Sequence, residues 1–269
     1  MIPNAYITEW QQYAPWSHPD MVEQDLVISR VLLELFGDEE ISRRLAFRGG
    51  TALYKLFLLP AARYSEDVDL VQLDPAPTGP TLDRIRGLLD HLLGVPNYQH
   101  RLASFRLVYR FVAEADPATT LRLKLEINTR EHVGRTRIAR MPLSVESRWI
   151  SGSTEITTFP LEELLGTKLR ALYQRKKGRD LFDLDYALRM SDLHAREVVE
   201  AFVEYVAADG LRITGPEFIA NLMDKREDAH FRRDIVPLLR AGIEFDFDKA
   251  IDRVVQAFVR HIDAAWAGR

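Results

Sequence analysis

The chain has 269 residues, 46% hydrophobic and 28% charged, with no cysteine and a formal net charge of -4. That length and balance allow a well-buried core in one large domain or two smaller ones. The missing cysteines exclude disulfide frameworks, thiolate metal sites and a cysteine nucleophile, and the slight negative charge means that any nucleic-acid contact has to come from a local basic patch.

The N-terminal stretch MIPNAYITEWQQYAPW has no positive region followed by an apolar one. No segment approaches the roughly 18 uninterrupted apolar residues that span a bilayer. A cytoplasmic protein with no signal peptide and no membrane contact is expected. The first helix is predicted from about Pro19 to Phe36, where Met21, Leu26, Val27, Val31, Leu32 and Leu35 recur at helical spacing. Leu45 to Arg48 reads as a short strand broken by Gly49-Gly50, and Thr51 to Leu58 reads as a helix ended by Pro60. Val68 to Val71 marks a second strand, and Leu82 to Leu93 an amphipathic helix. Strands follow near Phe105–Ala113 and Leu121–Asn128, with a further one at Thr154–Phe159. After Pro160 helical periodicity dominates. The expected organisation is therefore an α/β core over 1–159 and a helical domain over 160–269.

Asp67 and Asp69 stand two apart on a predicted strand. Their side chains share a face, with Cα atoms about 6.5–7 Å apart. Like charges that close repel unless a cation or proton intervenes. Two such carboxylates suit hard divalent cations of the kind used in two-metal phosphoryl transfer. A solvated edge strand would also explain them, but their context is more specific. Gly49-Gly50-Thr51 lies at a strand-to-helix turn, where a backbone without side chains can approach a phosphate, and Arg63-Tyr64-Ser65-Glu66 leads into the acidic pair. Thr51 and Ser65 each offer a hydroxyl to a triphosphate.

In Leu121–Asn128 the leucines and Ile127 take one face, while Arg122, Lys124, Glu126 and Asn128 take the other. Glu126 then fits either of two readings. It completes a cluster with Asp67 and Asp69 as metal ligand or base, or it joins a cross-strand ion pair. From Lys168 to Arg179 there are six basic residues and no acidic one. Lys168 lies well inside its helix, at a place to meet a nucleotide phosphate. Arg175, Lys176, Lys177 and Arg179 fit either an RNA backbone or a solvated helix end. Gly178 is expected to break this helix, and Asp180 is expected to cap the next one, to place a charge at its N-terminus, or to pair with Lys168 or Arg179.

The ordered motifs G-G-T-A-L, R-x-S-x-D-x-D and K-L-x-A-L-x-x-R-x-x-x-R-D-L-x-D-L, spanning Gly49 to Leu184, resemble the AbiEii/AbiGii toxins of type IV toxin–antitoxin systems, to which the MenT toxins are also assigned. The resemblance implies an α+β, polymerase-β-like nucleotidyltransferase core, a mixed sheet flanked by helices, with a helical C-terminal domain completing the active site. It implies NTP as substrate, Mg²⁺ in a two-ion site, the 3′ end of tRNA as acceptor and a cognate antitoxin as partner. By motif, Ser65 and Asp67 match the family serine and metal-binding aspartate, Asp69 the second aspartate, Lys168 the helix lysine and Asp180 the R-D-x-x-D aspartate. The wider superfamily has Gly-Ser where this chain has Gly49-Gly50, which shifts the hydroxyl to Thr51. Transfer to a protein or small-molecule hydroxyl, or a non-catalytic nucleotide- or RNA-binding module on the same fold, are the alternatives.

Overall fold

A computed structural model describes residues 2–114, 116–131 and 137–268, and the chain divides into two compact units, Met1–Phe159 and Pro160–Arg269. The first unit runs α1 (Asn4–Trp10), α2 (Pro19–Phe36), α3 (Glu39–Arg44), β1 (Leu45–Arg48) and α4 (Gly49–Ala52), which continues into a π-helical turn (Leu53–Phe57). Then come β2 (Asp67–Gln72), α5 (Gly79–Leu93), β3 (Asn97–Arg101), β4 (Ser104–Val112), β5 (Thr120–Asn128), β6 (Ala139–Glu146) and β7 (Ser151–Thr158).

The strands form one seven-stranded mixed sheet in the order β3-β4-β5-β2-β1-β7-β6. β2 runs antiparallel to β1 and parallel to β5, so the short Asp67–Gln72 strand sits in the interior of the sheet. The alternation in β5 becomes two faces. Leu121, Leu123, Leu125 and Ile127 are buried, and Val68 and Leu70 of β2 lie opposite Leu125 and Ile127 on that face. Helices α2 and α5 pack against each other and against this sheet. Leu26, Val27, Val31, Leu32 and Leu35 of α2 and Ile85 and Leu89 of α5 are fully buried. Burial on that side leaves the polar face of β2 and β5 to carry the acidic residues.

Several elements differ from the sequence expectation. The helix expected from Thr51 starts at Gly49, so both glycines lie inside its first turn. β3 has no apolar alternation to reveal it, because all five of its residues are exposed. The strand expected near Thr154 begins at Ser151 and pairs with β6, which has a proline inside it.

The second unit comprises α6 (Leu161–Gln174), α7 (Gly178–Met190), α8 (Ala195–Ala208), α9 (Gly215–Arg226), α10 (Ala229–Arg233), α11 (Phe247–Ala257) and α12 (Ile262–Ala267). Its core forms where α6 packs on α7 and α8, with Leu165, Leu169 and Leu172 fully buried alongside Val198, Val199 and Phe202. A capping box between Thr214 and Glu217 starts α9. Gly178 does not break α6. That helix has already ended at Gln174, and Gly178 opens α7. Asp180 is likewise not a cap, because Lys177 holds the N-cap position and Asp180 lies in the first turn, fully buried.

Candidate active site

The glycine turn and the acidic strand meet directly. Gly49 has φ 83°, a left-handed backbone that favours glycine. A Cβ placed there would lie 2.5 Å from Asp69 Oδ2 and 3.2 Å from Asp69 Cγ, so the turn's backbone rests against that carboxyl. A Cβ on Gly50 would be 3.2 Å from Ser65 Oγ and in overlap with the Arg63 guanidinium. Neither position has room for a side chain, which explains two adjacent glycines better than an ordinary tight turn does.

Thr51 fixes the geometry from beneath. Its buried Oγ1 is 2.8 Å from Ser65 Oγ and 2.5 Å from the Asp67 carbonyl oxygen. The hydroxyl expected to face a triphosphate is therefore engaged within the protein, lacing the Ser65–Asp67 segment to the turn. Arg63, to which the motifs assign no role, is buried under the same turn. It donates to the Tyr64 carbonyl at 2.9 Å and stacks over the Tyr54 ring at 4.9 Å. Its only signal in the sequence is its place at the head of R-x-S-x-D-x-D.

Strand register sets the electrostatics. Asp67 lies opposite Lys124, Asp69 opposite Glu126, and Glu126 opposite Arg106. Lys124 Nζ is 3.0 Å from Asp67 Oδ2 and 3.2 Å from Glu126 Oε2. Ser104 Oγ and Arg106 Nη2 donate to Glu126 Oε1 at 2.9 and 2.8 Å. The cross-strand ion pair weighed for Glu126 is thus present. Burial pushes the Glu126 carboxyl up, but the bonds from Arg106 and Ser104 and the charge of Lys124 outweigh it and hold the group below its ordinary value. For Asp69, burial and the neighbouring Asp67 charge win over Lys124 and Arg48, and its carboxyl is raised. Burial lowers Lys124, yet Asp67 and Asp69 more than offset this and its ammonium is held above its usual range.

Among the described residues no group of three or more metal-ligating side chains converges. The donor chemistry nevertheless fits a divalent cation. Asp67 and Asp69 share one face of β2, Asp69 lies opposite Glu126 on β5, and carboxylate oxygens are the donors that hard divalent cations take. A cavity of about 540 Å³ adjoins the turn. Thr51, Arg63 and Ser65 line it together with Trp10, Trp16 and Lys55, while Asp67 and Asp69 do not.

In the second unit, Lys168 Nζ is buried 3.1 Å from Asp180 Oδ1 and 2.9 Å from Asp183 Oδ2. Arg175 closes a bidentate pair with Asp180 at 2.7 and 2.8 Å. Burial raises the Asp180 carboxyl, but Lys168 and Arg175 outweigh it and the group sits low. The expected basic stretch is extensively paired. Lys176 meets Asp228 at 3.1 Å, and Lys177 and Arg179 meet Asp234 at 3.3 and 3.1 Å. The basic residues Arg175, Lys176, Lys177 and Arg179 are thereby matched by aspartates.

A mixed sheet flanked by helices, with a glycine turn packed against paired strand carboxylates, is the polymerase-β-like nucleotidyltransferase core. The family described as nucleotidyl transferase AbiEii toxin, type IV toxin–antitoxin system, matches residues 30–257, and the chain belongs to it. The solved structure of MenT4, a nucleotidyltransferase toxin from Mycobacterium tuberculosis, is similar at a TM-score of 0.60 with 16% identity, covering 99% of this chain and 99% of that one. JHP933 from Helicobacter pylori is similar at a TM-score of 0.52 with 16% identity, covering 94% of this chain and 97% of that one. At such identities these likenesses show the fold. No curated protein sequence matches the chain significantly. Membership implies an NTP substrate and an antitoxin partner. Among the described residues no helix is long and apolar enough to cross a membrane.

Proposed function

We propose that this nucleotidyltransferase moves NMP from an NTP to the 3′ hydroxyl of tRNA in a Mg²⁺-dependent reaction, in the cytoplasm. The observation that carries the reading is the close packing of the Gly49 backbone against the Asp69 carboxyl, with Asp67 beside it on the same strand face. A triphosphate laid along Gly49, Gly50 and Ser65 would bring its α-phosphorus to the carboxylates, and positioning of this kind is most of phosphoryl-transfer catalysis. Asp67 and Asp69 would hold the ions, which supply charge stabilisation at the phosphoryl oxygens when bound. Glu126 keeps the alternatives weighed for it, ligand or partner of Arg106. The acceptor oxygen bonds to the α-phosphorus as the bond to pyrophosphate breaks, and the hydroxyl proton passes to the carboxylate cluster.

Lys168 and Asp180 are assigned to the same reaction by their match to the family motifs. Lys168 would serve to neutralise phosphate charge, and Asp180 to orient it. Incubation with labelled NTPs and Mg²⁺, with either total tRNA or total protein, tests the acceptor. Label in RNA supports the reading. Label confined to protein transfers it to protein hydroxyls, and absence of label in every fraction refutes nucleotidyl transfer.

A further inference from the structure

The polar face of the sheet carries a second feature, one residue pair along from the acids. Arg110 and Arg122 are directly opposite each other across β4 and β5. Both are exposed. Among the described residues neither guanidinium has a hydrogen bond or ion pair. Like charges directly opposite on neighbouring strands destabilise a sheet. On this face Lys124 is neutralised by Asp67 and Glu126, Arg106 by Glu126, and Arg48 by Glu131. Arg110 and Arg122 are set directly against each other instead of against an acid.

The register places this pair on the face that carries the acids. Arg122 is two residues before Lys124, which faces Asp67, and Arg110 is two residues after Val108, which faces Lys124. The step from the pair to the Lys124–Asp67 position is therefore one i to i+2 spacing, about 6.5–7 Å. Gln24 Nε2 donates to the Arg122 carbonyl at 2.9 Å and reaches the Glu66 carbonyl at 3.5 Å, tying the backbone under Arg122 to the segment that carries Ser65 and Asp67. On the same face, Arg106 Nε is buried with no acceptor. Donors on this face outnumber their acceptors.

We propose that Arg110 and Arg122 bind phosphodiester phosphates of a nucleic-acid acceptor whose 3′ end lies at Asp67 and Asp69. Guanidinium pairs suit phosphate because each presents a planar fork of donors. A strand ending at the acids has its nearest phosphate about one nucleotide back, which is the distance to the arginine pair. The site gives the acceptor its polyanionic class and is distinct from the paired basic stretch at Arg175–Arg179. It rests on the nucleotidyl-transfer reading only for where the strand ends.

The test is binding, measured without turnover. Fluorescence anisotropy follows a short labelled single-stranded RNA with wild type, R110Q, R122Q and the double variant, in Mg²⁺ without NTP. The double variant should bind at least tenfold more weakly, and the slope of log K against log salt should shrink by about 0.7 for each phosphate that is no longer neutralised. Thermal melting should be unchanged or slightly raised, because the variant removes a repulsion, so weak binding cannot be blamed on misfolding. NTP affinity, titrated separately without acceptor, should not move. Wild-type RNA affinity in the double variant, no RNA binding by wild type, or an effect confined to NTP affinity would each overturn the proposal. Failure of nucleotidyl transfer would appear separately, as absence of label in every acceptor while this RNA binding persists.

Discussion

Gly49→Ala tests the packing on which the site depends. The substitution meets two separate penalties. An L side chain at φ 83° costs about 1–2 kcal/mol, because Cβ crowds the following carbonyl. The new Cβ also lies 2.5 Å from Asp69 Oδ2 and 3.2 Å from Asp69 Cβ, too close for rotation of the carboxyl end alone to relieve. Pushing the side chain off its rotamer adds about 0.5–1.5 kcal/mol. The total is about 2–3 kcal/mol, or roughly 5–10 °C in Tm for a unit of this size. Nucleotidyl transfer should fall at least tenfold as Asp69 is displaced. Differential scanning calorimetry and a labelled-NTP assay read the two effects. In Gly49→Ala/Asp69→Ala the contacts with Oδ2 and Cγ should disappear, while the Cβ contact and the backbone penalty remain, giving a coupling of about 0.5–1 kcal/mol in a double-mutant cycle. Strict additivity of the two single variants would refute the reasoning, since it would mean the turn and the carboxyl do not touch.

Four further outcomes follow from the geometry of the two units. Asp69→Asn should raise Tm at neutral pH in metal-free buffer and, assayed with Mg²⁺, should abolish transfer. A carboxyl raised by burial and by Asp67 destabilises the fold once pH rises above its unfolded pKa, and the amide removes that cost; a lower Tm counts against it. Thr51→Val should cost about 1–3 kcal/mol by stranding the Asp67 carbonyl, and Thr51→Ser should restore most of it in urea melts. Lys168→Met should cost about 3–5 kcal/mol by leaving Asp180 and Asp183 buried without their ammonium. Because the Asp180 carboxyl is lowered in the fold, its stabilisation is present above the unfolded carboxylate pKa and lost as pH falls through the folded one. Asp180→Asn should therefore flatten the acid limb of the stability curve, and an unchanged limb would contradict this.

The acidic strand and its neighbour were legible in the sequence because β5 alternates strictly and Asp67-Val68-Asp69-Leu70 alternates at the head of β2. Leu121, Leu123, Leu125 and Ile127 declare the buried face, and Asp67, Asp69 and Glu126 are then forced to the other. The glycine turn was legible as a turn, but its reason was not. The packing of Gly49 on Asp69 joins residues far apart in the chain, and no local pattern encodes it. The internal bond of Thr51 was hidden for the same cause, since its acceptor is a main-chain oxygen on a later strand. Lys124 lay on the right face in the sequence, yet its role depends on the parallel register of β2 and β5, which is a tertiary fact. The basic run at Arg175–Arg179 looked like a polyanion surface because Asp228 and Asp234, which match it, come much later in the chain.

Direct binding of Mn²⁺, followed by electron paramagnetic resonance in the presence of NTP and absence of acceptor, is the most direct measurement of whether Asp67 and Asp69 hold divalent ions. Wild type should take up the ion with nucleotide, and Asp67→Asn and Asp69→Asn should each weaken uptake at least tenfold while the protein stays folded. Equal uptake by wild type and both variants would show that the ions are held elsewhere, and the assignment of these two carboxylates would fall.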